Sequence, residues 1–240
     1  MALVEFRNVS YEIAGQQILS GLNLTVEPGE TLVLLGRSGS GKSTALKLTN
    51  GMLFPSSGQV LIGGKSTRDW DPIRLKRRIG YVIQDVGLFP HFTVAQNVGL
   101  VPKLECWKEA DIERRVDQLL EMVGMPAHEF RARYPRQLSG GQRQRVGVAR
   151  ALAADPPILL FDEPFGALDP VTRLELQRQF LDLQRDLKKT SIFVTHDVRE
   201  ALRLGTRIAL LARGIVDTTA EPHEFQRAPS EEARAFLACM

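Results

Sequence analysis

The sequence predicts an α/β fold with a mainly parallel core sheet, an antiparallel β region at the N-terminus and a helical subdomain. Short continuous apolar runs, such as Thr31–Leu35, are typical of strands buried on both faces of a parallel sheet. These runs are followed by loops and helical stretches, which is the order that βα units produce. Between residues 93 and 155 apolar side chains recur every three or four positions, which favours helices.

The elements before residue 93 are bounded by turn residues, including Pro28-Gly29 and the PSSG segment at 55–58. Strands are predicted where β-branched and apolar residues form short runs, and helices where longer polar-apolar patterns follow a loop. They are strands at 3–9, 18–26, 31–35, 59–62 and 79–84, and helices at 42–50 and 72–78.

The elements after residue 93 are mostly helical. Apolar residues in 111–123 recur at helical spacing, and Gly124 and Pro126 end that helix. The predicted helices are 111–123, 142–154, 171–188 and 197–204, and the strands are 158–161, 191–195 and 208–211. We expect a single domain over 1–240, with a core subdomain at 1–92 and 156–240 and a helical subdomain at about 93–155.

The composition excludes disordered and fibrous proteins, because 43% of the 240 residues are hydrophobic and 25% are charged. The net charge of +3 comes from bases interleaved with acids, so no nucleic-acid-binding tail is indicated. Cys106 and Cys239 form neither a disulfide framework nor a zinc motif. The longest apolar runs are about five residues, against about 20 for a membrane span, so we expect a soluble cytoplasmic protein.

A phosphate-binding loop is predicted at residues 36–43, GRSGSGKS, between a strand and a helix. Glycines allow successive N–H groups to point at phosphate oxygens, and the helix N-terminus adds partial positive charge. Lys42 would contact the β- and γ-phosphates of a nucleotide, and Ser43 would bind Mg²⁺. The sequence therefore predicts a P-loop NTPase core.

Two acids, Asp162 and Glu163, follow the apolar strand at 158–161. Ligands bind at the carboxyl ends of strands in open α/β sheets, so Asp162 would hold Mg²⁺ and Glu163 would act as a general base. By itself such a strand end is equally typical of solvated charges. The phosphate loop in the same chain favours the catalytic interpretation.

The segment LSGGQ at residues 138–142 begins a predicted helix and supplies a second set of N–H donors. At this point nearly the whole chain resembles the ATP-binding subunit of an ABC transporter. Residues 36–43 are similar to its Walker A loop, 158–163 to its Walker B strand and 138–142 to its signature motif.

The resemblance implies roles for four further residues. Gln84 stands where the family has its Q-loop glutamine, and His196 matches the switch histidine. Residues 167–169, ALD, resemble the D-loop, with Gly166 where serine is usual, and Tyr11 matches the aromatic residue that stacks on adenine. Taken singly, Tyr11 would be an ordinary strand aromatic and Gln84 an ordinary polar strand end.

The resemblance therefore implies an ATPase that uses ATP and Mg²⁺. The implied catalytic residues are Glu163, His196 and Gln84, and the implied metal ligands are Ser43, Gln84 and Asp162. The implied nucleotide-binding residues are Tyr11, Gly36, Arg37, Ser38, Gly39, Ser40, Gly41, Lys42, Ser43, Thr44, Ser139, Gly140, Gly141, Gln142 and Asp169.

The family also implies an assembly. Two such subunits would pack head to tail around two ATP molecules, most simply as a homodimer. Transmembrane permease subunits would hold them at the cytoplasmic face of the inner or plasma membrane, and an extracytoplasmic solute-binding protein would complete the system. No nucleic acid is expected as a partner.

Residues 76–107 resemble a narrower group, the ATPases of importers for glycine betaine, choline, proline and related osmoprotectants. The segments GYVIQ at 80–84, GLFPH at 87–91 and VPKL at 101–104 carry this similarity. An importer for polar amino acids or another small solute is the alternative. An ABC ATPase of DNA repair or translation is a remote one, because this chain has neither long coiled coils nor two cassettes.

Two further features, an apolar segment and a group of basic residues, each allow two interpretations. The apolar segment 88–92 is either a docking surface for a permease or internal core. The basic group is either a nucleic-acid patch or a solvated face or subunit interface, and the latter is favoured; its members are Arg131, Arg133, Arg136, Arg143 and Arg145.

Overall fold

The computed structural model describes residues 2–84, 86–166 and 168–238. The predictions that involve Ala167 and Cys239 lie outside these residues. The chain forms two compact units. The first unit contains the described residues up to Lys76 and from Lys188 onward, and the second unit is Arg77–Leu187.

Strands and helices alternate along most of the chain. The strands are β1 (Val4–Ile13), β2 (Gln16–Val26), β3 (Thr31–Leu35), β4 (Ser57–Ile62), β5 (Lys65–Ser66), β6 (Ile79–Val82), β7 (Ile158–Asp162), β8 (Thr190–Thr195), β9 (Arg207–Ala212) and β10 (Ile215–Ala220). The helices are α1 (Lys42–Thr49), α2 (Pro72–Arg77), α3 (Val94–Leu104), α4 (Glu109–Met122), α5 (Ala127–Phe130), α6 (Gly140–Leu152), α7 (Pro170–Leu187), α8 (Val198–Leu204), α9 (Pro222–Phe225) and α10 (Glu231–Leu237), with a 3₁₀ turn at Pro135–Gln137.

The first unit contains the predicted N-terminal antiparallel sheet, in the order β2-β1-β4-β5. Phe6 at its centre pairs with Leu24 on β2 and Val60 on β4, and all three side chains are buried. Polar residues alternate with these apolar ones along β1, so one face of the sheet covers the core while the other meets solvent.

The first unit also contains the strands that support the phosphate loop. β3 pairs in parallel with β8 on one side and β9 on the other, and β10 adds to β9 in the antiparallel sense. All five residues of β3 are buried, as the continuous apolar run at 31–35 predicts. The predicted α/β fold with a mainly parallel core is confirmed by this ladder.

In the second unit, β6 and β7 form a parallel pair, and most of the remaining residues are helical. Helix α4 buries Ile112, Val116, Leu119 and Leu120, the positions whose spacing predicted it. Among the described residues, no helix is both long and apolar enough to cross a bilayer.

Several predicted boundaries are corrected. The strand expected at 79–84 ends at Val82, because its ladder with β7 ends at the pair Val82–Phe161. Strand β10 and helix α10 were not expected, since β10 alternates exposed and half-buried residues and has no apolar run. The subdomain boundary at about 93 and 155 stays a prediction.

The segment 88–92 is not internal core. Phe89, Pro90, His91 and Phe92 are exposed, and the rings of Phe89 and Phe92 lie 5.3 Å apart. The side chain of Asn97, which is fully buried on α3, holds this turn: its Oδ1 accepts from the Phe89 N–H at 2.8 Å. Its Nδ2 donates to the carbonyls of Phe89 and Phe92 at 3.2 and 3.1 Å.

Candidate nucleotide-binding and catalytic site

The phosphate loop connects the end of β3 to the start of α1, as predicted. Gly36 comes directly after β3 and packs closely against β9. A Cβ at this position would lie 2.3 Å from the carbonyl oxygen of Leu211. Gly41, the residue before α1, has φ +101°, a left-handed conformation that L side chains rarely adopt. The loop path therefore depends on glycine at both ends.

Lys42 brings a buried cation to this loop. Its side chain folds back, and its Nζ donates to the carbonyl oxygens of Gly36 at 2.8 Å and Arg37 at 2.9 Å. Lys42 is only 4% exposed, so these bonds offset part of the cost of burying its charge. The ammonium is thereby held at the concave side of the loop, where an anion would compete for it.

The buried Ser40 hydroxyl has no hydrogen-bond partner among the described residues. A buried hydroxyl without a partner is costly, so the site fits an external ligand that would satisfy it. Ser43 and Thr44 lie half-buried in the first turn of α1, and Ser38 and Gly39 are exposed. Together these groups fit the phosphates of a nucleotide.

The side chain of Arg37 points to the C-terminal helix. Its Nε donates to the Glu232 carboxylate in the first turn of α10 at 2.7 Å. The loop and this helix also line one cleft of about 360 Å³ together with Arg213. Arg37 therefore forms a salt bridge with a helix that begins almost 200 positions later in the chain.

His196 and Tyr11 both lie near this loop in the first unit. Leu35 pairs with Thr195 in the parallel ladder, so Gly36 and His196 leave neighbouring strands at the same edge. Tyr11 pairs with Leu19, whose side chain lies against Gly41. The structure thus brings the predicted histidine and the predicted aromatic residue to the surroundings of the phosphate loop.

Gln84, Asp162 and Glu163 meet in the second unit. Val82 pairs with Phe161, so both chain segments leave the β6–β7 pair at the same edge. A Cβ placed on Gly166 would lie 3.9 Å from the Glu163 Oε2 and 4.0 Å from the Gln84 Nε2. Arg150 of α6 fixes the chain after Gln84 by donating to the carbonyls of Val86 at 2.6 Å and Gly87 at 2.8 Å.

Glu163 has a left-handed backbone, with φ +46°. A residue with a Cβ adopts this conformation at a cost of about 1–2 kcal/mol, and such residues cluster at functional sites. The predicted base therefore stands at a sharp, strained turn directly after β7.

Asp162 accepts a hydrogen bond from Tyr81, a residue to which no role was assigned from the sequence. The Tyr81 hydroxyl donates to the Asp162 Oδ2 at 3.2 Å. Burial, aided by the charge of Asp162 and by this hydrogen bond, raises the pKa of Tyr81. No motif in the sequence indicates this contact, although period-two alternation across paired strands could have suggested it.

The signature segment forms the start of α6. Ser139 is the N-cap, its Oγ accepting from the Gln142 N–H at 3.2 Å, while the Gln142 side chain accepts from the Ser139 N–H at 2.9 Å. This capping box explains why the helix begins at Gly140 instead of the predicted 142. Gly140 is exposed and Gly141 is buried against Thr172.

Asp169 begins the next long helix. Its Oδ1 accepts from the N–H groups of Val171 and Thr172, both at 3.1 Å. Hydrogen bonds from Thr172 hold the pKa of Asp169 below its usual value. Thr172 therefore contacts both Asp169, the aspartate of the D-loop-like segment, and Gly141 at the start of α6.

The basic group at 131–145 consists of locally paired side chains. Arg131 pairs with Asp117, Arg133 with Glu129 and Arg145 with Glu175. Arg143 donates to the Leu138 carbonyl, and Arg136 stacks over Tyr134. These partners favour the interpretation as a solvated face over a nucleic-acid patch.

Comparison with known proteins identifies the family. The profile described as ABC transporter matches residues 19–166, more than half of the chain. The chain belongs to the ABC transporter family. The predicted resemblance is thus confirmed, and the phosphate loop, signature helix start and Asp162 all lie inside the matched ABC region.

Two curated relatives are similar over most of this ABC chain. It is 51% identical to the osmoprotectant import ATP-binding protein OsmV of Salmonella typhimurium, over 89% of this chain and 56% of the relative. It is 47% identical to the glycine betaine uptake system ATP-binding protein YehX of Escherichia coli, over 96% of this chain and 74% of the relative. The chain spans little more than half the length of the first of these relatives.

A solved structure confirms the ABC cassette fold. The ATP-binding cassette MJ0796, solved as a dimer in a post-hydrolysis state with ADP and Pi, is 35% identical to this chain. The TM-score is 0.81, with 91% of this chain and 98% of that chain covered.

Proposed function

We propose that this chain is the ATP-hydrolysing subunit of an ABC importer that takes up an osmoprotectant, such as glycine betaine, choline or proline. The observation that carries the ATPase is the buried Lys42 ammonium beside the unpartnered Ser40 hydroxyl in a glycine-bounded loop. The solute class is supported by OsmV and YehX, whose names specify osmoprotectants and glycine betaine.

The nucleotide would be held by the phosphate loop, residues 36–44, with Tyr11 stacking on the adenine. The donors predicted for Mg²⁺ are the Ser43 hydroxyl, the Gln84 amide and the Asp162 carboxylate, and oxygen donors of these kinds fit that ion. When bound, Mg²⁺ neutralises charge on the phosphates. Among the described residues, no group of three His, Cys, Asp or Glu side chains is placed to hold a metal ion.

Hydrolysis needs a water molecule aimed at the γ-phosphate. Glu163 would accept a proton from that water, His196 would hold the γ-phosphate or the water, and Gln84 would orient the metal site. The products are ADP and inorganic phosphate. The strained turn at Glu163 supports this role, because it holds the carboxylate at the edge where β7 ends.

Two copies would close around two ATP molecules, head to tail. Ser139, Gly140, Gly141, Gln142 and Asp169 of one copy would then meet the nucleotide bound to the other. ATP favours the closed dimer, since only that state supplies both sets of N–H donors, and hydrolysis removes the difference in binding energy. The dimeric state of MJ0796 supports this arrangement.

Membrane attachment would come through permease subunits at the cytoplasmic face, with an extracytoplasmic solute-binding protein delivering the solute. The exposed Phe89 and Phe92 side chains, fixed by Asn97, offer a rigid apolar surface for such a subunit. An exposed apolar pair on an ordered turn is a feature of interaction sites.

The solute is tested by co-purifying the chain with its membrane partners and measuring ATPase activity in liposomes. A panel of glycine betaine, choline, carnitine, proline and polar amino acids is added with the captured binding protein. We expect quaternary amines to stimulate hydrolysis. Stimulation by polar amino acids alone would keep the ATPase assignment and overturn the osmoprotectant one.

The base is tested by Glu163→Gln, which keeps the shape of the side chain and removes its ability to accept a proton. We expect ATP binding to persist and steady-state hydrolysis to fall at least about a hundredfold. Glu224→Gln, an exposed glutamate on α9, is the matched control. Hydrolysis at the wild-type rate in Glu163→Gln would remove Glu163 from this role.

A further inference from the structure

The Tyr81 side chain is a neighbour of Asp162 to which the family resemblance assigns no role. Its hydroxyl lies 3.2 Å from the Asp162 Oδ2, which is slightly longer than a usual O–H···O hydrogen bond. Tyr81 is half-buried in β6, and Asp162 is half-buried at the end of β7. The contact therefore lies where the sheet edge meets solvent.

The register of the two strands brings these side chains together. Tyr81 pairs with Leu160 in the parallel ladder, and Leu160 and Asp162 point to the same face because side chains alternate. Asp162 lies two residues further along, about 6.6 Å at the rise of a parallel strand. A tyrosine spans that distance with its ring, so its hydroxyl arrives at the carboxylate, while a shorter side chain would not.

The chemistry of the pair allows one direction of hydrogen bonding. An ionised carboxylate only accepts, so the phenol must donate. The donated bond restricts rotation of the carboxylate, whose terminal torsion is otherwise broad.

We infer that Tyr81 is a positioning residue whose hydroxyl holds the Asp162 carboxylate in the orientation that binds the magnesium ion of the nucleotide. This inference rests on the proposed function, in which Asp162 is a magnesium ligand. Residues that orient a metal ligand through a hydrogen bond contribute substantially to metal affinity. A purely structural tyrosine would instead affect folding stability, with no preference for the metal-bound state.

The test is ADP binding by calorimetry, in excess EDTA and over a series of MgCl₂ concentrations. The variant is Tyr81→Phe, which removes one oxygen and keeps the ring. In EDTA we expect wild type and variant to bind ADP equally. With Mg²⁺ we expect the variant to bind ADP about tenfold more weakly than wild type, the low end for such residues because the bond is long.

Two controls separate positioning from general damage. Tyr134→Phe removes a hydroxyl from an exposed tyrosine of the same unit and should match wild type in both conditions. The double variant Tyr81→Phe, Asp162→Asn should bind magnesium-ADP no more weakly than Asp162→Asn alone, because the hydroxyl acts only through the carboxylate.

The outcomes are distinct. Equal binding by wild type and Tyr81→Phe in Mg²⁺ would overturn the role of Tyr81 and leave the ATPase intact. An equal loss in EDTA and in Mg²⁺ would overturn it as well, because such a loss reports damage to the nucleotide site as a whole. Failure of the wild-type protein to bind nucleotide at all would overturn the proposed function and this inference together.

Discussion

At the scale of single residues, the backbone of Glu163 stores strain where chemistry is proposed. Its φ of +46° is one that glycine adopts without cost, yet the chain carries a glutamate there. A strained residue persists only where its surroundings determine it, and here β7 on one side and the turn around Gly166 on the other do so. The motif predicted the residue type, but not the strained turn.

This strain can be measured by comparing two truncations. Because both remove the carboxylate, Glu163→Gly and Glu163→Ala should be equally inactive. The glycine variant should have the higher free energy of unfolding, by about 1 kcal/mol, since only alanine keeps the Cβ that opposes the left-handed conformation. Urea denaturation followed by circular dichroism measures the difference. An alanine variant as stable as the glycine variant would show that residue 163 is not left-handed in solution.

At the scale of elements, a helix or strand is predicted correctly when the contacts that stabilise it lie close together in the sequence, and it is missed when they lie far apart. Helix α4 and strand β3 are read correctly because their apolar spacing is local. Strand β10 was missed because it has no apolar run and is stabilised by its hydrogen-bonded pairing with β9. The contacts of Tyr81 and Asn97 depend on register and tertiary packing, which no local pattern encodes.

The segment 88–92 is held to α3 by the buried Asn97 amide, and one substitution removes these hydrogen bonds. Asn97→Ala leaves the carbonyls of Phe89 and Phe92 without that donor, and we expect it to lower the free energy of unfolding by about 2 kcal/mol. Amide hydrogen exchange at Phe89 should also accelerate.

Lys103→Ala, an exposed position on the same helix, is the control and should change stability by less than about 0.5 kcal/mol. If Asn97→Ala were as stable as that control, the turn would have to be held by other contacts.

At the scale of the whole molecule, the fold class and the family could be predicted from sequence, because each motif is contiguous. The roles of the motif residues stay predictions. What the sequence did not reveal are contacts between distant positions, of which Arg37 with Glu232 spans the most chain among those described above. An exposed ion pair of this kind adds little stability. Its effect is electrostatic, since Glu232 places a negative charge beside the loop that we propose binds the phosphates of ATP.

We therefore expect Glu232→Gln to strengthen ADP binding about two- to threefold at low ionic strength, because Arg37 then faces the phosphates without a competing carboxylate. The gain should vanish at high salt, where exposed charges are screened. Titrations at two salt concentrations measure it, with Glu231→Gln, the exposed neighbour, as control. Weaker ADP binding in Glu232→Gln would contradict this account.

The same ion pair has a practical consequence for anyone who labels this protein. Helix α10 contacts the phosphate loop through Glu232, so a fluorophore or fusion partner attached to an exposed residue of that helix would lie close to the proposed nucleotide site. A dye placed there becomes a reporter of loading and release. A bulky tag at the same place becomes an unintended modulator, and affinities measured with it describe the tagged protein alone.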